Sequence, residues 1–355
     1  MTDPSNVFGD NFREARARFE AAAKAAGAAF HRHPHDQPDL SCDVAVLGPT
    51  NARRRLAMIA GTHGAEGFAG SAVMVDWLRR GARPEGAAVV LIHAINPWGF
   101  ANISRCNENN VDLNRNFVDH GSPLPENPFY TELHEALCPA HWNDAARQAT
   151  HDVCHGFGAR HGRQVLIDAI MRGQYSHADG LNFGGTAPEW SNRTLRAIAA
   201  RHLRGAEALM LVDWHTGLGA YGIASVMCLD PPSHPAYEKA RATFGPEIDA
   251  VQKLFEGEEP PQYTGLLLNA LRAEAGAGAT VACTVEFGTR PLNAMLDGLL
   301  VDRWLRLAAP ATAPGLDALK AEVRDAFCPH DPAWRNAVIQ SGAELIARAN
   351  QWLAS

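Results

Sequence analysis

The stretch RRLAMIAGTHGAEGFAGS (residues 54–71) begins as an apolar run and ends in a glycine-rich segment that carries a histidine and a glutamate. The apolar run is typical of a buried strand, and the residues from Gly70 to Arg80 have a helical pattern. His63 and Glu66 therefore follow the end of a strand. Because ligands of open α/β sheets bind beyond the carboxyl ends of the strands, these two side chains are candidate functional residues.

The same alternation continues along the chain and predicts its fold class. Strand-like apolar runs span residues 43–48, 54–61, 87–96, 208–215, 224–230 and 279–287. Helix-like stretches span residues 11–30, 70–80, 190–203, 235–254, 266–275 and 316–355. Buried strands that alternate with helices indicate an α/β fold around a mostly parallel sheet.

The remaining segments indicate one domain. Residues 104–190 are rich in Asn, His, Gly and Pro, and we interpret them as long active-site loops around one or two helices. The tract HRHPHDQP (31–38) is interpreted as a solvated linker after the first helix. We expect a single catalytic domain over residues 1–355, with helical segments at 10–30 and 316–355 packed on it.

The composition excludes several classes of protein. Of the 355 residues, 46% are hydrophobic and 20% are charged, which is typical of a soluble globular enzyme. The net charge of −7 provides no basic field that would attract nucleic acid or an anionic membrane. Seven scattered cysteines without a CxxC pair favour a cytoplasmic location, and we expect neither a signal peptide nor a membrane span. The oligomeric state is left open.

Histidine and glutamate side chains collect at the predicted strand ends. His63 and Glu66 follow one strand, His215 closes LMLVDWH, and Glu286 lies at the end of TVACTVEF. Two imidazoles and one carboxylate are a common ligand set of catalytic zinc, with the fourth position left for water. A lone HxxE pattern is common by chance, and His215 alone would be typical of a hydrogen-bonded core histidine. The combination predicts a metal site.

The segment INPWGFANISRCNENNVDLNRNF (95–117) makes the prediction specific. Here the sequence resembles the zinc carboxypeptidases of the carboxypeptidase A type and their relatives, the succinylglutamate desuccinylases and aspartoacylases. The resemblance spans residues 54–290, whereas residues 173–185 and 189–195 match neither group, which indicates a separate branch. The matching motifs, in the family's order, are HGAE (63–66), NPWG (96–99), Arg105, DLNRNF (112–117), DWHT (213–216) and TVEFG (284–288).

The resemblance has implications for the fold and the metal. It implies an α/β domain with a mixed, mostly parallel, twisted sheet of eight strands flanked by helices. It implies that His63, Glu66 and His215 hold one zinc ion, and that Asp112 orients the ring of His63. The alternative for Asp112 is a structural turn residue.

The resemblance also implies roles in catalysis. Asn114 and Arg115 would bind the free carboxylate of the substrate, because a guanidinium suits a planar carboxylate. Arg105 would stabilise the oxyanion, unless it is a solvated loop residue. Glu286 would be the general base that takes a proton from the attacking water, and its alternative is a structural strand-end glutamate.

The phenolic residue expected in such a site has two candidates. Tyr263 lies in the proline-rich segment GEEPPQYTGLLL, which suits a mobile loop, and Tyr221 follows His215 closely. The sequence favours Tyr263 only slightly over Tyr221.

The reaction implied by the resemblance is zinc-dependent hydrolysis of an amide bond next to a free carboxylate. The substrate would be a small peptide, as for a metallocarboxypeptidase, or an N-acyl amino acid, as for the desuccinylase branch. A peptide needs an open groove and an acyl amino acid a closed pocket, and the sequence leaves this and the side-chain preference open. A catalytically inactive binding protein is the alternative of another class. A second metal near His155 or His161 is not favoured.

Overall fold

The computed structural model describes residues 6–81, 85–228, 230–246, 248, 254–255 and 257–354. Seven strands and twelve helices form within these residues. The strands are β1 (Ala29–Pro34), β2 (Ser41–Leu47), β3 (Arg54–Ala60), β4 (Ala87–His93), β5 (Ala208–Gly217), β6 (Ala224–Cys228) and β7 (Ala279–Gly288). The helices are α1 (Phe12–Ala25), α2 (Gly67–Arg80), α3 (Pro97–Asn102), α4 (Pro128–Leu137), α5 (Asp144–His161), α6 (Arg163–Met171), α7 (Trp190–His202), α8 (Pro235–Phe244), α9 (Leu267–Ala275), α10 (Leu292–Leu307), α11 (Leu316–Phe327) and α12 (Pro332–Ala354).

The strands form one mixed sheet in the order β1-β2-β4-β3-β5-β7-β6. Strands β4, β3, β5 and β7 are mutually parallel, whereas β1, β2 and β6 pair antiparallel with their neighbours. The expectation of eight mostly parallel strands is therefore wrong, because the described sheet has seven strands and half of its pairings are antiparallel. Strands β1 and β2 are joined by residues 35–40, a connection too short for a parallel crossover.

Helices cover both faces of the sheet and bury its strands. On one face the core includes side chains of α1, α2, α8 and α12, and on the other face side chains of α7 and α9. Successive residues of β3 alternate between these layers, with Leu56 and Met58 in the first and Ala57 and Ile59 in the second. Burial on both faces explains why the six predicted strands are apolar runs, and all six are confirmed with ends shifted by a few residues.

Three of the local structures predicted before residue 191 are wrong. The first helix ends at Ala25, and residues 29–34 form β1, where a linker was expected. This edge strand is polar because one side faces solvent and because Arg32 donates to Asp43 of β2 at 3.0 Å. Residues 104–190 contain the three helices α4, α5 and α6 rather than one or two.

The predicted helix 235–254 is also too long. Helix α8 ends at Phe244, because Gly245 has a φ of 101° and Pro246 follows. Residues 247, 249–253 and 256 lie outside the described part of the chain. Across the described residues, the structure has no helix both long and apolar enough to span a membrane.

Candidate metal centre

The turn after β3 positions His63 and Glu66. Gly61, with a φ of 73°, turns the chain out of the sheet, and a short 3-10 turn leads directly into α2. A Cβ atom on Gly64 would lie 1.9 Å from the carbonyl carbon of Gly99, so only glycine lets α3 pack this closely. The close packing of this turn fixes both candidate ligands at the end of the sheet.

Strand β5 brings the third candidate ligand to the same place. Its residue Trp214 pairs with Ala60, the last residue of β3, so His215 lies one residue beyond the end of that strand. The rings of His63 and His215 are 4.9 Å apart, with an angle of 71° between their planes. Both rings are buried.

The Glu66 carboxylate lies between the two imidazole rings. His63 Nδ1 is 2.9 Å from Glu66 Oε1, and His215 Nδ1 is 3.1 Å from Glu66 Oε2. One ligand atom from each of the three residues lies within 4.8 Å of the others. The backbone N–H of Thr216 also donates to Glu66 Oε2, at 3.0 Å. The three side chains thus converge on one point.

The outward-facing nitrogen of each ring contacts a carboxylate. His63 Nε2 lies 3.0 Å from Asp112 Oδ1, and His215 Nε2 lies 2.6 Å from Asp213 Oδ2. The hydroxyl of Thr62 donates to Asp213 at 2.8 Å. A carboxylate on one ring nitrogen orients a metal-binding histidine and leaves the other nitrogen for the metal.

The donor set fits zinc. His63 Nδ1 is buried and makes no hydrogen bond with the described residues, although Glu66 Oε1 is near. A buried imidazole nitrogen without a hydrogen bond is costly unless an ion or a water satisfies it. Two imidazole nitrogens and one carboxylate, with an open side toward a cavity, are the ligand set of many catalytic zinc sites.

The charges of the site favour a bound cation. Burial disfavours an ionised Glu66, but His63 and His215 outweigh burial and lower the pKa of its carboxyl below the ordinary range. Burial likewise disfavours a charged His215, but Asp213 and Glu66 outweigh it and raise the pKa of that ring. Because an imidazole that binds a metal is neutral, a metal ion bound to His215 would displace a proton from its ring.

Glu286 lies beside the candidate ligands without joining them. It is buried on β7 and pairs with His215 in the parallel register of β5 and β7. The backbone N–H of Leu218 approaches Glu286 Oε2 at 3.4 Å. Burial raises the pKa of the Glu286 carboxyl to about 7. A carboxyl with a pKa near neutrality can both accept and donate a proton, as a general base and acid requires.

Arg105 links the candidate ligands to Asp112. Its Nη1 donates to Glu66 Oε1 at 3.2 Å, and its Nη2 donates to Asp112 Oδ2 at 3.0 Å. Its Nε also donates to Asn182 Oδ1, at 3.2 Å. Burial disfavours the charged guanidinium, but Asp112 and Glu66 raise the pKa of Arg105 above its ordinary value. Arg105 is thus a fixed positive charge at the centre rather than a solvated loop residue.

Asn114 and Arg115 line the same cavity as the candidate ligands. Arg115 donates through Nε and Nη2 to the carbonyl of Met171, at 3.2 and 2.6 Å, and through Nη1 to the carbonyl of Asn114, at 2.7 Å. These bonds use three of the five guanidinium N–H groups, and the other two have no partner among the described residues. The amide oxygen of Asn114 accepts from the backbone of Leu267 at 3.0 Å.

The structure separates the two tyrosine candidates. The ring of Tyr263 lies against Arg115, whose Cζ is 4.8 Å from the ring centroid, and Tyr263 lines the cavity. Burial raises the pKa of its phenol, so the hydroxyl remains a donor. Tyr221 is 42% exposed and donates to Asp331 Oδ2 at 2.7 Å. Tyr263 is therefore the tyrosine that adjoins the candidate site.

These side chains surround a cavity of about 190 Å³. Its remaining wall is mostly apolar and comes mainly from α6 and α10, with Leu166, Ile167, Ile170, Leu292, Met295, Leu296 and Leu299, and these two helices also contribute the polar residues Arg163 and Asn293. Of the nine predicted site residues, Asp112 alone is not in the cavity wall and lies behind His63. The other eight line it: His63, Glu66, Arg105, Asn114, Arg115, His215, Tyr263 and Glu286. Their catalytic roles stay predictions.

The family of the chain follows from a comparison of its sequence with protein-family models. The model described as "Protein of unknown function (DUF2817)" matches residues 8–341. The chain belongs to this DUF2817 family. No curated protein matches it.

Solved structures similar to this DUF2817 chain come from both groups that its motifs resemble. Carboxypeptidase A from Helicoverpa armigera is 14% identical, with 96% of this chain and 74% of that chain covered and a TM-score of 0.47. A metallo-carboxypeptidase from Burkholderia cenocepacia is 12% identical (94% and 69% covered, TM-score 0.39). A succinylglutamate desuccinylase/aspartoacylase from Rhodobacter sphaeroides is 15% identical (81% and 67% covered, TM-score 0.37). Identities and TM-scores this low assign neither an activity nor a substrate to the DUF2817 chain.

Two further residues, whose roles the sequence does not predict, support the centre of this DUF2817 chain. Asp213 precedes His215 by two positions on β5, so both side chains are on the same face, and the strand pattern alone could have identified this pair. Asn182 contacts Arg105 from a loop that matches no known motif, and no sequence signal identified it.

The sequence does not favour a second metal near His155 or His161. His155 is exposed on α5, and His161 lies 3.7 Å from Glu132. Neither histidine belongs to a group of three possible metal ligands in the described part of the DUF2817 chain.

Proposed function

We propose that this chain is a zinc-dependent hydrolase that cleaves an amide bond adjacent to a free carboxylate. The observation that supports this most is the convergence of His63, Glu66 and His215 in one cavity wall with Glu286 and Arg115. A metal, a general base and a carboxylate anchor are the parts that such a reaction requires.

His63, Glu66 and His215 would hold the zinc ion. When bound, zinc supplies a Lewis acid for the scissile carbonyl and lowers the pKa of a water molecule. Glu286 takes the proton of the attacking water and delivers it to the leaving amine, for which a pKa of about 7 is suitable. Arg105, already bonded to Glu66 and Asp112, adds positive charge where the oxyanion develops.

Arg115 and Asn114 orient the substrate through its carboxylate. Two N–H groups of Arg115 and the amide NH₂ of Asn114 are available to carboxylate oxygens, which make strong hydrogen bonds with such donors. The ring of Tyr263 packs on the guanidinium, and its hydroxyl is a further donor to the substrate. Among the described residues of α6 and α10 that line the cavity, Arg163 at the start of α6 is the one charged side chain, and the others are apolar except Asn293.

The apolar wall supports a substrate whose side chain is neutral and apolar. The first candidate is a metallocarboxypeptidase-like peptidase that releases an apolar C-terminal residue. The second candidate, an N-acyl-amino-acid deacylase, is favoured by the small volume of about 190 Å³, which suits a short acyl group. A catalytically inactive binding protein is disfavoured because no expected ligand or base is missing from the site.

A paired substrate screen tests this proposal. The protein is stripped of metal and reloaded with Zn²⁺. It is then assayed with dipeptides that are blocked at the amino terminus and free at the carboxylate, and with N-acetyl and N-succinyl derivatives of the same amino acids. We expect zinc-dependent hydrolysis of leucine or phenylalanine derivatives in preference to those of glutamate or lysine. Hydrolysis that persists after metal removal, or in Glu286→Gln at the parent rate, would overturn the proposal. The preferred class of derivative separates the two candidate activities.

A further inference from the structure

A second group of possible metal ligands lies away from the cavity. It consists of His134 near the end of α4 and of His177 and Asp179 in the loop before α7, and we call it the α4–loop cluster. One ligand atom from each residue lies within 4.8 Å of the others. The two imidazole rings are stacked, with centroids 3.9 Å apart and planes inclined by 20°. Because the nitrogen lone pairs lie in the ring planes, one half-buried ring rotates away from the other when both bind the same ion. His134 Nε2 lies 3.3 Å from Asp179 Oδ1.

Neighbouring side chains contact the other polar atoms of the cluster, and His177 Nε2 lies 3.2 Å from the hydroxyl oxygen of Thr131. His134 Nδ1 lies 3.5 Å from the Cys138 sulfur, so its Nε2 is the nitrogen that faces Asp179. Arg303 Nη2 donates to Asp179 Oδ2 at 3.2 Å, which leaves Oδ1 for the histidine side. Partners of this kind orient metal ligands and fix which atom faces the ion.

We propose that the α4–loop cluster binds a divalent transition-metal ion such as Zn²⁺ or Co²⁺. Two imidazoles and one carboxylate suit these ions, whereas Mg²⁺ and Ca²⁺ prefer ligands that are all oxygen. His134 and His177 are half-buried and Asp179 is exposed, so water completes the coordination. This inference does not rest on the proposed hydrolytic function.

The ion would join two parts of the chain that meet near the candidate metal centre. Three residues after Asp179, the side chain of Asn182 accepts a hydrogen bond from Arg105 at 3.2 Å. Asn182 also donates to the carbonyl of Ile170, at 2.8 Å. An ion bound between α4 and this loop fixes the loop that carries Asn182. Its role is structural rather than catalytic.

Cobalt binding to the full-length protein tests this inference. Protein stripped of metal is equilibrated with micromolar Co²⁺, and bound cobalt is counted by mass spectrometry while its visible absorption is recorded. We expect His134→Ala and His177→Ala each to bind one Co²⁺ per chain fewer than the parent, or to bind it at least tenfold more weakly. His155→Ala, which removes an exposed histidine outside the cluster, is the matched control and binds as the parent does.

The comparison separates the α4–loop cluster from the candidate metal centre. We expect His63→Ala to retain the ion of the α4–loop cluster. If the parent binds only one Co²⁺ per chain, the inference is still supported when His177→Ala binds none. Equal cobalt counts and affinities in the parent, His134→Ala and His177→Ala would overturn it. Because His134, His177 and His155 are exposed or half-buried, their variants are expected to fold, and far-ultraviolet circular dichroism checks this for them and for His63→Ala, which replaces a buried side chain.

Discussion

His215 and Glu286 occupy the same register position on the adjacent parallel strands β5 and β7. Their side chains therefore lie on the same face of the sheet, at the end where β3 delivers His63 and Glu66. His215 joins the group of possible metal ligands, whereas Glu286 does not. One strand pair thus positions a candidate ligand and a candidate base side by side.

Replacing Glu286 by glutamine separates metal binding from catalysis. Glu286→Gln is expected to retain zinc and lower kcat at least ~10²-fold, because general-base contributions are of this size. In the parent, kcat/KM should rise with pH as Glu286 loses its proton. The apparent pKa of this rising limb should be at or below about 7, the value for Glu286 without metal, because bound zinc favours the ionised carboxylate. A variant that keeps the parent rate, or the same rising limb, would show that another group is the base.

The same substitution has a predicted effect on the stability of the metal-free protein. Burial raises the folded pKa of Glu286 from 4.5 to about 7, so the protonated carboxyl stabilises the fold below pH 4.5 and this stability is lost as the pH rises through 7. Glu286→Gln should therefore match the parent near pH 4 and exceed it near pH 8, by on the order of 3 kcal/mol in the free energy of unfolding. Urea unfolding at both pH values measures this difference. A constant difference between the two proteins at all pH values would contradict it.

Arg115→Ala tests the carboxylate anchor. It is expected to raise KM about tenfold to a hundredfold for a substrate with a free carboxylate, because it removes hydrogen bonds to a charged group. Steady-state kinetics with free and amidated forms of one compound provide the measurement. Arg115→Lys, which keeps the charge and loses the planar fork, should give an intermediate value.

The amidated substrate is the internal control for Arg115. Loss of its hydrogen bonds to the carbonyls of Met171 and Asn114 would affect both substrates alike. Only loss of carboxylate binding makes the free substrate more sensitive than the amidated one. Equal changes in KM for both would assign Arg115 a structural role.

Asp213→Asn tests the partner of His215. Removal of the charge beside Nε2 makes the ring a weaker ligand, and we expect the dissociation constant of zinc to rise about tenfold to a hundredfold. Asp297→Asn is a matched control, because Asp297 lies 2.7 Å from His151 outside the candidate centre. Competition with a chromophoric chelator measures both constants. An unchanged zinc affinity in Asp213→Asn would mean that the contact is not needed for metal binding.

The sequence predicts most of the sheet because strands buried on both faces are continuous apolar runs. It fails for β1, whose alternating His and Arg residues are typical of an edge strand and also of a linker. The eighth strand was expected from the resemblance alone, and the described residues do not contain it. Gly245 and Pro246 are the local signal that ends α8. The prediction of a helix over 235–254 gives more weight to the helical pattern of the whole stretch than to these two residues.

The candidate site is predictable where residue type and strand position coincide. His63, His215 and Glu286 each lie at or just beyond the end of a parallel strand, and their convergence follows from the topology. The apolar wall from α6 and α10 depends on how residues 104–190 pack, and no periodic pattern revealed this. The hydrogen bonds that Arg115 donates to the carbonyl of Met171 likewise depend on tertiary structure, because 56 positions separate the two residues.

The zinc content of histidine variants shows whether His63 and His215 hold a metal ion. Three proteins are compared: His177→Ala, and the same protein with either His63→Ala or His215→Ala added. They are purified alike, checked by circular dichroism and analysed by mass spectrometry for zinc per chain. His177→Ala is present in all three because it removes the α4–loop cluster from the count. We expect about one zinc ion per chain in His177→Ala and nearly none when either His63 or His215 is also replaced. Zinc content that is the same in all three proteins would contradict this expectation.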